Sequence, residues 1–178
     1  MIEVMVAIII TTFGLLGFAG MQARATAAEF ESYQRSQALT LVEDLVSRMN
    51  ANRTNAASYV TTGLIGAGPV QDCSGLLGAA LDLCQWGNLI RGSTEDRGGA
   101  KVGSMIGARG CVTRPSTSSD RYIVAIAWQG IVPTGAPGSP CGQGDASFPK
   151  EALRRAVSST MCVALLRDPT VSPPLPRC

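Results

Sequence analysis

The chain has no histidine. That removes the commonest general base, the usual proton shuttle and the commonest metal ligand, so a Ser-His-Asp triad and a Cys/His zinc site are both excluded. Lysine is almost missing: Lys101 and Lys150 are the only two, and nothing in the sequence places a serine beside either for Ser-Lys chemistry. There is no excess of one charge, with 15 basic and 13 acidic residues and a net charge of +2. Such a balance gives no electrostatic footprint for nucleic acid. Residues 1–60 contain no proline and only three glycines, Gly14, Gly17 and Gly20, so little there interrupts a helix. The expectation is a chain that catalyses nothing and needs no cofactor or metal.

What the first part does contain is a run of twenty uncharged residues, Val4 to Ala23, between Glu3 and Arg24. As a helix it spans roughly 30 Å, about the hydrocarbon thickness of a bilayer. Its first half is apolar on every side, unlike a helix on the surface of a soluble domain. Thr11 and Thr12 can return their hydroxyls to backbone carbonyls one turn back, so they do not forbid a membrane setting. A secretory signal peptide would have a basic start and a shorter apolar core. Here the start is acidic, and only the alanine-rich stretch after Met21 resembles a cleavage site.

From Arg24 to about Arg53 the pattern becomes amphipathic. Phe30, Tyr33, Ala38, Leu41, Val42, Leu45 and Met49 recur at spacings of three and four, with Glu29, Glu31, Arg35, Glu43, Asp44 and Arg48 between them. This predicts one helix of about fifty residues, roughly 75 Å long, ending at Asn50, Asn52 and Asn55. Its first half would lie in lipid, and an apolar stripe on its second half would pack on a folded head.

All ten prolines and every other glycine follow residue 60. Gly63–Gly68 reads as a loop, Gly78–Leu89 as a short helix, and Arg91–Ala100 as a charged, solvated loop. Lys101–Ile106 and Gly110–Thr113 read as short strands. Arg121–Gln129 is the clearest strand; apolar on both faces, it belongs inside a sheet that is covered on each side. Gly130–Pro149 reads as a long loop and Arg154–Leu166 as a partner strand. Trp86 and Trp128 are expected as core anchors, and Arg154 and Arg155 as surface charge.

Six cysteines, at 73, 84, 111, 141, 162 and 178, all lie in this second part without a Cys-x-x-Cys pair. An even number, widely spaced in a small head, reads as disulfides formed in an oxidising compartment.

Two features of the helix bear on function. Glu3, at the start of an apolar span, is expensive unless solvated or paired. It either sits hydrated at the headgroup boundary or pairs with a positive group of another subunit. Gly14, Gly17 and Gly20 form a thin face that permits close helix packing or local melting in a filament core, although glycine is also tolerated in lipid for no special reason.

The run MIEVMVAIIITTFGLLGFAGMQ resembles the N-terminus of type IV pilins and type II secretion pseudopilins. The resemblance implies a basic leader upstream, cut by a prepilin peptidase that also methylates the new N-terminus. It gives Glu3 the role of neutralising the N-terminal ammonium of a neighbouring subunit during filament entry. The segments AGMQ, LVEDLVSRMNANR, CQWGNLI, CVTR, RYIVAIAWQG and LRRAVSS are similar to those of the minor pilins termed PilV.

The fold class implied is α+β, the pilin fold: a long N-terminal helix packed on a small antiparallel sheet in a disulfide-tied head. Residues 1–23 form the membrane or filament-core half of the helix, 24–53 its amphipathic periplasmic half, and 54–178 the head. The expected pairs are Cys73 with Cys84, Cys111 with Cys141, and Cys162 with Cys178. Implied partners are other minor pilins, the major pilin, the inner-membrane assembly platform and the inner membrane itself. The implied role is assembly. A type II secretion pseudopilin and an adhesive or DNA-capturing tip pilin are the alternatives.

Overall fold

The computed structural model describes residues 2–92, 96–97, 100–101, 105–116 and 120–163. The chain divides into two compact units, Met1–Gln34 and Arg35–Cys178. A single helix, α1, runs Ile2–Ala51 without a break, as the lack of proline and the scarcity of glycine dictate.

In the first unit α1 is exposed almost throughout. Gln34 is the exception. It is buried, and neither polar atom of its amide has a hydrogen-bond partner among the described residues. Phe30 and Tyr33, expected on the packed stripe, are both exposed. Tyr33 points about 100° around the helix from Gln34, and Phe30 lies a turn before the first buried position.

In the second unit the stripe of α1 is Ala38, Val42, Leu45 and Met49, each essentially without solvent contact. The helix ends among the asparagines, at Ala51. A 3₁₀ segment, Arg53–Tyr59, follows and buries Ala56 and Tyr59. Helix α2 spans Gly78–Ile90 and buries Trp86 and Ile90. Within the segment read as a charged loop lies β1 (Asp96–Arg97), which pairs antiparallel with β2 (Ala100–Lys101) at its end. Of the strand expected over Lys101–Ile106, only Lys101 is in a strand. Residues 102–104 lie outside the described ones, and Met105–Ile106 lead into a turn.

The main sheet is antiparallel, ordered β3 (Arg109–Thr113), β4 (Arg121–Gln129) and β5 (Arg154–Cys162). Strand β4 is central, pairing Cys111 with Ala125 on one side and Ala125 with Ser158 on the other. Val163 is not in the strand, and residues 164–166 of the longer expected strand lie outside the described ones.

The two apolar faces of β4 have separate covers. Tyr122, Val124, Ile126 and Trp128 join Val42, Leu45, Trp86 and Ile90 in the larger core. Ala125 and Ala127 pack with Cys111, Cys141 and Phe148 in a smaller one. The stretch 130–149 is therefore a strap as well as a loop, folding back so that Cys141 and Phe148 close the outer face. Gly142 allows this approach. Its φ is +72°, and a Cβ there would stand 2.6 Å from the Phe148 ring. The outer edge of β3 is covered by the 61–65 segment, through Ile65 N–H to Gly110 O at 2.8 Å and Gly110 N–H to Ile65 O at 2.7 Å, so that edge offers no open template.

Candidate assembly interface

Among the described residues, exposed large hydrophobic side chains are concentrated on the first unit of α1. Ile8, Ile9, Ile10, Phe13, Leu15, Leu16 and Phe18 are all exposed, Phe13 by 72%. A contiguous apolar surface of this kind marks contact with a membrane or with other protein. Among the described residues, α1 is the one helix long and apolar enough to cross a membrane. Its polar groups are arranged for such a setting. Thr11 donates to Ala7 O at 2.9 Å, and Thr12 donates to Ile8 O and to Ile9 O, the latter at 3.1 Å. Both hydroxyls are thus returned to the helix.

Glu3 lies in the first turn of α1, where a carboxylate suits the positive end of the helix dipole. It is exposed. Gly14, Gly17 and Gly20 are exposed too, and a Cβ at any of them would meet nothing within 4 Å. Among the described residues the three glycines pack against nothing, and the structure does not bring Glu3 and the glycines into one site.

The cysteines are brought together in the head. Cys73 is bonded to Cys84 and Cys111 to Cys141. The first bridge ties the loop before α2 to that helix, and the second ties β3 to the strap. Cys162 is not a free thiol; its expected partner, Cys178, lies outside the described residues.

A polar cluster fixes the C-terminal part of α1 to α2 and the 3₁₀ segment. Arg48 binds Asp44 at 2.9 Å, Gln85 at 2.7 Å and Asp82 at 3.4 Å. Tyr59 donates its hydroxyl proton to Asp82. Burial, and then that bond, raise the Tyr59 phenol above its ordinary value. Trp86 and Trp128 both lie in the larger core.

Arg154 overturns its sequence reading. It is 1% exposed and acts as an internal clamp. Its guanidinium pairs with Glu151 at 2.7 Å and donates to Ser139 O at 2.7 Å and Cys141 O at 2.9 Å. Arg155 donates to Ala152 O at 3.2 Å and to Val132 O. Both side chains hold the strap. No sequence signal marks this, because it depends on where residues 130–149 fold. The Arg154 bond holds the Glu151 carboxyl below its usual range, and bonds from Ser147 do the same for Asp145, with the nearby Arg109 charge adding to them.

A family model described as Tt1218-like, Type IV pilin Tt1218, matches residues 20–74. The match supports a place in the pilin superfamily, and the long apolar helix with a small antiparallel sheet and two disulfides is consistent with the α+β pilin fold. No match is found among curated proteins or among solved structures.

Proposed function

We propose that the chain is a minor pilin, of the PilV type, that acts in type IV pilus assembly. One observation carries this reading: a single unbroken helix presents a fully exposed apolar first half whose only acidic residue is Glu3. A surface so costly in water needs lipid before assembly and other subunits after it. Residues 1–23 are the membrane and filament-core segment, 24–53 the amphipathic periplasmic half, and 54–178 the periplasmic head.

On this reading the protein waits in the bacterial inner membrane after prepilin peptidase has acted on an upstream leader. It then enters the filament near its tip with other minor pilins and the major pilin, extracted by the assembly platform. Glu3 neutralises the N-terminal ammonium of a neighbour. In low dielectric that attraction is far stronger than in water and greatest at contact, so it favours the axial register that brings the two charges together. The protein performs no catalysis.

The test is surface pilus yield in a deletion strain complemented with wild type or with Glu3→Ala. Pili lost on deletion and restored by wild type alone are the expected result. Normal pili with an exported protein retained in the periplasm would make the chain a secretion pseudopilin instead.

A further inference from the structure

A groove of about 460 Å³ lies on the head between the 61–64 segment and the turn at 140–145. We propose that it is a binding site for a neutral saccharide. The inference concerns the head alone and does not rest on the assembly role.

The site is built and held. The Cys111–Cys141 bridge lines it, with both half-cystines buried, and Leu64 and Pro140 add apolar surface beside it. The backbone on one side is fixed by Arg154, which binds the carbonyl of Cys141. On the other side Thr61 is spent on Val112, accepting its N–H at 3.1 Å. Asp145 is oriented by the Ser147 N–H at 2.8 Å and by Arg109 at 3.7 Å.

Three side chains remain available. Thr62, Thr113 and Gln143 are exposed, line the groove, and use neither hydroxyl nor amide in a side-chain hydrogen bond among the described residues. Two hydroxyls, one amide and one ionised carboxylate supply mixed donors and acceptors, which suits adjacent hydroxyl groups. The bridge, Leu64 and Pro140 suit the C–H face of a sugar ring. Among the described residues no cationic side chain lines the groove, and its one carboxylate, Asp145, already occupies the nearby Arg109, which disfavours phosphates and acidic sugars. The volume falls in the range of small-molecule sites.

The experiment uses the full chain in phosphocholine micelles, because a maltoside detergent carries a sugar headgroup. Saturation-transfer NMR is run with the methyl glycosides of glucose, galactose, mannose and N-acetylglucosamine, then with oligosaccharides of the same sugars. At least one probe should bind saturably at roughly millimolar concentration. The Thr113→Val/Gln143→Ala variant should bind about tenfold more weakly, through lost hydrogen bonds, with an unchanged unfolding midpoint. Response to the monosaccharides points to free sugar, and response to oligosaccharides alone to a surface glycan; either supports the site. No saturation transfer from any probe, transfer unaltered in the variant, or displacement by inorganic phosphate would overturn it.

Discussion

The indole Nε1 of Trp86 donates a 2.8 Å hydrogen bond to the carbonyl oxygen of Leu41. The bond joins Trp86 of α2, which has no solvent exposure, to the middle of the packed part of α1. Trp86→Phe keeps most of the ring and removes the donor, so it should cost about 1–3 kcal/mol. Trp86→Ala should cost about 3–5 kcal/mol through the cavity it leaves. Urea unfolding followed by circular dichroism measures both. Equal stability of the Phe variant and wild type would show that this bond contributes nothing net.

The same ring explains Gly110. A Cβ there would stand 2.4 Å from the Trp86 ring and 2.7 Å from Ile90 Cδ1. Gly110→Ala should therefore destabilise the head by about 1–3 kcal/mol through overpacking. In a Trp86→Leu background the added cost should shrink, since the two sites share one contact. Additive effects in the double-mutant cycle would refute the steric explanation.

Arg154 and Glu151 predict acid sensitivity. The folded pKa of Glu151 lies below its unfolded value because Arg154 binds the carboxylate. Its contribution is thus present above the unfolded pKa of about 4.3 and is lost as pH falls through the folded value. Asp145 follows the same sign. The unfolding midpoint should fall between about pH 5 and pH 3, and Glu151→Gln should flatten that slope. Arg154→Ala is the more damaging change, about 2–5 kcal/mol, because it leaves the buried Cys141 carbonyl and the half-buried Ser139 carbonyl of the strap without their donor. An unchanged pH profile in the Gln variant would count against this account.

The two described bridges should differ in weight. Cys111–Cys141 closes a separation of 30 residues and Cys73–Cys84 one of 11. Chain entropy alone assigns about 3.7 kcal/mol to the longer loop and about 2.8 kcal/mol to the shorter. Paired Cys→Ala replacement at 111 and 141 should therefore lower stability more, and it also opens the smaller core. The reverse order in chemical denaturation would mean that strain or residual structure dominates.

Much of the fold could be read directly from sequence because its signals are local. Twenty uncharged residues without proline specify the first half of α1, and a strand apolar on both faces specifies the centre of a sheet. The misreadings involve longer range. Phe30 and Tyr33 have the right residue type but not the buried positions, whereas polar Gln34 is buried. Arg154 looked like surface charge because its burial depends on how residues 130–149 lie over the sheet, which the expected Cys111–Cys141 pair does not by itself fix. The groove is hidden for the same reason, since residues 61–64 and 140–145 meet only around that bridge. Glu3 and the glycine face are the opposite case. Both are plain in the sequence, but their proposed contacts are with other subunits.

The glycine face gives the last prediction. Since a Cβ at Gly17 meets nothing within 4 Å among the described residues, Gly17→Leu should leave the stability of the head within about 0.5 kcal/mol of wild type. It should also strengthen the isolated helix slightly, since glycine is the poorer helix former. Any loss of function must then arise between molecules. If Gly14, Gly17 and Gly20 admit a neighbouring helix at close range, the variant should accumulate normally in the membrane but yield fewer pili, and Gly17→Ala should be milder. Equal pilus yield from wild type and the Leu variant would mean that this face meets only lipid, leaving Glu3 as the one assembly contact proposed on the span.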